Sequence, residues 1–135
     1  MRNLTLALMG TALAACSDTP PASVGNDPSS QQLATMLAGK VAGPPQDCLP
    51  SYQSNNAALI TAQAIVFSPT PNQVYVNNIA GSGCEGLANP SYTLITTARG
   101  PGGLCRGDVV KIVDSQVGTM VGSCALNSFV PYTGP

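Results

Sequence analysis

The sequence predicts an all-β domain. The expected form is a small five- or six-stranded antiparallel barrel or sandwich with two disulfides, preceded by a signal peptide and a flexible tether. Three observations carry this expectation. From residue 47 onward, short runs rich in Val, Ile, Thr and Tyr alternate with Gly, Pro and Asn. No strong helical period of apolar residues runs through that region. Four cysteines, Cys48, Cys84, Cys105 and Cys124, all fall within it. At 135 residues the chain holds one domain's worth of sequence.

The opening segment is read as a leader spanning residues 1–15. Arg2 supplies one positive charge, and an apolar run follows from Leu4 to Leu13. Ten or so apolar residues are too few to cross a bilayer, which takes roughly twenty. They have the form of a secretory signal. The run ends in Leu13-Ala14-Ala15-Cys16. This resembles the bacterial lipobox, in which an apolar residue and two small ones precede a cysteine. The resemblance implies cleavage before Cys16, a diacylglycerol on its thiol, and a further acyl chain of the palmitate kind on its new amino group. Each buried lipid CH₂ is worth about 0.8 kcal/mol, so three chains hold firmly where one would not. Ser17 follows the cysteine. By resemblance to Gram-negative lipoproteins, that fits the outer membrane, with the domain facing the periplasm.

Residues 16–46 are expected to be the lipidated cysteine and its tether. Pro20, Pro21, Pro28, Pro44 and Pro45 interrupt a stretch of Ser, Asn, Asp and Gly. Such composition buries too little apolar surface to offset chain entropy. About 30 residues reach about 30 Å as coil and about 90 Å as polyproline II. Within the tether, Leu33, Met36 and Leu37 share one helical face, and Gly39 offers a stop. A helix this short is marginal alone, so the segment reads as a transient turn, with docking on the domain as the alternative.

The domain is expected over residues 47–135. Residues 62–68 read as a strand, and Pro69, Thr70, Pro71 and Asn72 form a turn. Residues 73–79 alternate Val74 and Val76 with Tyr75 and Asn77, a half-buried strand returning as a hairpin. Residues 92–97 place Tyr92, Leu94 and Thr96 on one face. Gly100, Pro101, Gly102 and Gly103 form a loop. Residues 108–113 are nearly all apolar, a strand buried on both sides. Asp114 and Ser115 turn the chain into residues 116–124, and residues 129–132 close it. Residues 51–59 make a further, more polar strand.

An exported chain meets an oxidising space, so the four cysteines should form two bridges. Three pairings exist. Cys84–Cys105 with Cys48–Cys124 is the favoured one, because the first pins neighbouring loops across one strand and the second ties the domain's start to its last strand. Loops of about 22 and about 77 residues would contribute about 3 and about 4.5 kcal/mol in the chain-entropy account. No C-x-x-C spacing occurs and the chain has no histidine, so neither a metal nor a cofactor is expected.

Charge excludes further classes. Five basic and six acidic residues give a formal net charge of −1. That is no basic face for nucleic acid, and none is expected as a partner. Without histidine the commonest general base is missing. Asp47, Glu85, Asp108 and Asp114 have no spacing that favours a carboxylate pair, so no catalytic residue is assigned and no enzyme is expected. Gly81-Ser82-Gly83-Cys84-Glu85-Gly86 lacks the lysine of a phosphate loop. Arg106-Gly107-Asp108 spells a tripeptide that adhesion receptors read, but a structural use is expected, with Asp108 capping backbone N–H groups. Ser82, Glu85, Arg99, Arg106 and Asp108 are the candidate contact residues for a protein partner, on loops 81–87 and 99–107 and just beyond. An exposed strand edge is the other candidate.

Asp47-Cys48, Cys84-Glu85-Gly86-Leu87, Leu104-Cys105-Arg106-Gly107-Asp108, Gly122-Ser123-Cys124 and Phe129-Val130-Pro131-Tyr132 occur in that order. This pattern resembles a family of small exported proteobacterial proteins, chiefly of sphingomonads and often lipoproteins, whose domain has no known function. The resemblance covers residues 47–135 and implies a small disulfide-linked β domain. It brings no activity, substrate or catalytic residue. The family pattern is more charged near residues 55–63 and 70–73, where this chain is mostly neutral. The expected function is therefore a non-catalytic binding or structural module of the cell envelope, anchored through lipid and contacting an envelope protein. The alternative is a periplasmic inhibitor of a hydrolase such as lysozyme, with Arg99 and Arg106 flanking the inhibitory loop.

Overall fold

The computed structural model describes residues 27–54, 57–79 and 83–135. The expectations placed on the leader, on Cys16 and on Ser82 lie outside the described residues. The domain is mostly β, with antiparallel pairing throughout and two disulfides, and its sheets do not close into a barrel. The arrangement is a sandwich.

Ten strands are present among the described residues, against the five or six expected. Most of the excess is short. The largest sheet is formed by β1 (Val41–Ala42), β3 (Leu59–Ile60), β4 (Ala64–Thr70), β5 (Gln73–Asn78) and β10 (Phe129–Thr133), in the order β1-β10-β5-β4-β3. A second sheet has β6 (Tyr92–Thr97), β8 (Val109–Asp114) and β9 (Met120–Ala125), in the order β6-β8-β9. A two-stranded ribbon pairs β2 (Cys48–Pro50) with β7 (Gly103–Cys105). Strands β4, β5, β6, β8, β9 and β10 overlap the six segments whose patterning marks them in the sequence.

Alternation also decides where the core sits. Ile65, Phe67 and Tyr75 from the large sheet meet Val110, Ile112 and Cys124 from the three-stranded sheet, with Leu49 and Leu104 from the ribbon. Phe67 and Phe129 pack with ring centroids 6.0 Å apart, a tilted pair within the favourable range for aromatic contacts. The opposite face of the large sheet carries Ala64, Val66, Val74 and Val76. Both faces of β4 and β5 are therefore buried, which explains the continuous apolar reading of 64–67.

That second face is covered by a helix, α1 (Pro28–Leu37). Leu33, Met36 and Leu37 pack on it, as their shared face requires. Asp27 caps the helix by accepting from the backbone N–H groups of Ser29 and Ser30, each at 3.0 Å, and Pro28 suits the first turn. Gly39 takes φ +74° just past the end. The expectation of a flexible tether through residue 46 is thus corrected for 27–46. The helix docks because β4 and β5 offer it an apolar surface that no local sequence window reveals. Beyond it, β1 pairs with β10, and Gln46 bridges to Phe129.

A second correction concerns residues 51–59. In place of one polar strand, the described residues of this segment form a helical turn, α2 (Ser51–Ser54), and the start of the two-residue β3. Ser51 follows Pro50 at the end of β2, and β-branched residues are missing from the segment, so little favours extended pairing.

The disulfides join Cys48 to Cys105 and Cys84 to Cys124. This overturns the favoured pairing of Cys84 with Cys105 and Cys48 with Cys124. The reason is register. Cys48 lies directly opposite Cys105 in the β2–β7 ribbon. Cys124 points into the core from β9, where the segment at Gly83 and Cys84 is laid against it: a Cβ at Gly83 would collide with the Ser123 carbonyl.

Candidate functional site

The site is built around the chain between β6 and β8. Residues 99–102 are exposed, and so is Arg106. Each end of this stretch is fixed. Asp108 is buried, and its carboxylate accepts from the Cys105 N–H at 2.8 Å and from the Arg99 N–H at 3.2 Å. One side chain therefore closes the loop by holding backbone on both sides of it. Hydrogen bonds to a carboxylate are stronger than neutral ones, so a buried acid suits this role. The loop's descending arm is held again by the Cys48–Cys105 bridge and by the Arg106 N–H, which donates to the Asp47 carbonyl at 2.6 Å. Gly107, at φ +88°, donates to the Leu126 carbonyl, and Leu126 donates back to the Asp108 carbonyl. Gly103 lies against β2 so closely that a Cβ would collide with the Leu49 carbonyl oxygen.

The product is a braced loop with two arginines in solvent. Arg99 stands at its start and Arg106 on the turn after β7. Guanidinium groups carry five donors in a fixed fork and suit carboxylate partners. The capping role expected of Asp108 is present. Its role as a contact residue is corrected, because both carboxylate oxygens are spent on backbone and the residue is buried. The same burial removes the carboxylate that a reader of Arg-Gly-Asp would need.

Glu85 lies elsewhere, beside the Cys84–Cys124 bridge rather than on the arginine loop. It is exposed, and its Oε2 accepts from the Gly83 N–H at 3.0 Å. With Ala62, Gln63, Asn78, Ile79 and Cys84 it lines an open cleft of about 410 Å³. Glu85 is the one ionisable side chain among these lining residues. Among the described residues, no second carboxylate stands there to split acid and base roles with it. Among the described residues, no group of three or more His, Cys, Asp or Glu side chains is placed to hold a metal ion.

One surface goes unnamed in the sequence reading. Ile95 on β6, Met120 and Val121 on β9 and Val117 in the turn before it are large, apolar and exposed. Their signal is present, since β6 and β9 carry apolar residues at both parities, but alternation alone reads such positions as buried.

No protein family, curated protein or solved structure matches the chain.

Proposed function

We propose that this protein is a lipid-anchored module of the bacterial cell envelope, with a non-catalytic β domain that binds a protein partner through the arginine loop. The braced loop at residues 99–108 carries the reading. Two guanidinium groups are held out on backbone that a buried aspartate and a disulfide make rigid, so little order is lost on contact. Export is supported by Arg2, the apolar run and Leu13-Ala14-Ala15-Cys16, and an oxidising compartment by the two bridges. The outer membrane is the proposed location, with the domain facing the periplasm.

A second reading has the same loop as an inhibitory wedge in the acidic cleft of a hydrolase such as lysozyme. Exposure of both arginines on one rigid loop favours it. The two readings part in a single experiment. The chain is mixed in high excess with a lysozyme, and hydrolysis of cell walls is followed for the native protein and for Arg99→Ala/Arg106→Ala. Loss of hydrolysis that the double variant restores selects the inhibitor. Undiminished hydrolysis selects the partner-binding module. A photo-crosslinker at Gly100 in membranes should then give one discrete adduct that the double variant loses. Adducts that persist without the arginines would sink the loop as the contact.

A further inference from the structure

β6 is an edge strand of the three-stranded sheet. All six residues pair in register with β8, and among the described residues β8 is the element packed along it. Alternate N–H and C=O groups of such a strand face away from its neighbour and can pair with another chain. Folded proteins blunt such edges, and the outer strands of the large sheet and β9 are blunted here. β1 and β3 have two residues each, and Pro44 and Pro45 follow β1 closely. β9 has a register shift against β8, and the backbone of Gly83 crowds Gly122. β6 has a proline, Pro90, two residues before it, but within the strand Tyr92-Thr93-Leu94-Ile95-Thr96-Thr97 contains no charge and no proline, and it is six residues long without a register shift.

We propose that β6 pairs antiparallel with the β6 of a second copy of this chain. A two-fold axis at Ile95 sets the two Ile95 side chains against each other and each Thr93 opposite the partner copy's Thr97. Ile95 is 47% exposed in the single chain, so the pairing covers apolar surface as well as backbone. Charge favours a second copy over a foreign strand, because the edge has no sign for a foreign strand to match. Nor does self-pairing bring like charges together. The cation nearest the seam on this face is Lys111, opposite Ile95 on β8. Its two copies stand three strand spacings apart, about 14 Å, beyond a screening length of about 8 Å.

The two-fold axis of an antiparallel pair is normal to the sheet, so both copies turn the same face to the same side. In each copy α1 lies on the far side of the large sheet from the three-stranded sheet. Both copies therefore carry α1 and its cap Asp27 on one side of the dimer. Residues 17–26 span at most about 35 Å, which suits two anchors in a single bilayer. That consequence rests on the lipoprotein reading, whereas the pairing does not.

The test is sedimentation of the full chain, extracted in detergent at micromolar concentration, as native protein, Ile95→Glu and Val117→Glu. The carboxylate introduced by Ile95→Glu would face Lys111 within its own copy, which preserves the fold, but would oppose a second carboxylate across the seam. The native chain and Val117→Glu should be dimers and Ile95→Glu a monomer. Ile95→Cys should form an interchain disulfide on oxidation, the two Cα atoms lying about 5 Å apart in such a pair. A monomeric native chain, a dimer that survives Ile95→Glu, an unlinked Ile95→Cys or open-ended oligomers would each overturn the proposal. The intact mass of the same sample reports the acyl chains separately, so a missing anchor is told apart from a missing dimer.

Discussion

Asp108 shows how one residue can organise a loop while contributing nothing to its surface. The residue is 3% exposed, and it accepts from two backbone N–H groups that would otherwise be left without these partners. Each such orphan costs about 1–3 kcal/mol. Asp108→Ala should therefore lower unfolding stability by about 2–6 kcal/mol, read as a reduced denaturant midpoint, and should loosen the loop that presents Arg99 and Arg106. Asp108→Asn keeps one acceptor and should cost less. Equal losses for the two variants would mean that the carboxylate is not the brace. This residue is legible in part. An aspartate just after a Cys-Arg-Gly turn announces a cap, but the second donor, Arg99, comes from the far end of the loop and no local window contains both.

At the scale of elements, legibility follows locality. β6 and β8 are visible because their alternation or apolar run is complete within six residues. The β4–β5 hairpin is visible because Pro71 and Asn72 sit between two such runs. What stays hidden depends on distant partners. α1 reads as a transient turn because Leu33, Met36 and Leu37 form a small patch, and the surface that accepts it belongs to strands far along the chain. The disulfide pairing escapes a reading that takes order along the chain for nearness, whereas Cys48 finds Cys105 through antiparallel register.

The cap of α1 makes a prediction at this scale. Hydrogen bonds from the Ser29 and then the Ser30 side chain, with those from the backbone, hold the Asp27 carboxyl down from 3.8 to about 2. A carboxyl with a depressed folded value stabilises the folded helix above its ordinary value, and that contribution fades as pH falls through the folded one. Helical signals from residues 28–37 should thus be full above about pH 4 and weaken from there toward about pH 2. In Asp27→Ala they should be weaker throughout, with no step in that window. An unchanged step in the variant would assign the titration to another group.

As a whole molecule the protein is three layers: α1, the large sheet, and the three-stranded sheet with its ribbon. Two disulfides brace the last of these layers. Cys48–Cys105 staples the ribbon, and Cys84–Cys124 fixes the segment after residue 82 to β9. Chain separations of 57 and 40 residues correspond to about 4 kcal/mol each in the chain-entropy account. For a core of this size that is a large share of a net stability of about 5–15 kcal/mol. The layering also sorts the surfaces. The helix side carries Asp27, the first described residue, and the side away from it carries Ile95, Lys111 and Met120 on the outer face of the three-stranded sheet.

The central claim, an exported lipid-anchored domain held by two bridges, is tested most directly by mass. The protein is extracted from membranes, alkylated with and without prior reduction, and weighed intact, and its unreduced peptides are mapped. The account predicts a chain beginning at Cys16 with three acyl chains, four thiols that alkylate only after reduction, and peptides linking Cys48 to Cys105 and Cys84 to Cys124. A chain without lipid, or thiols that alkylate without reduction, would contradict it.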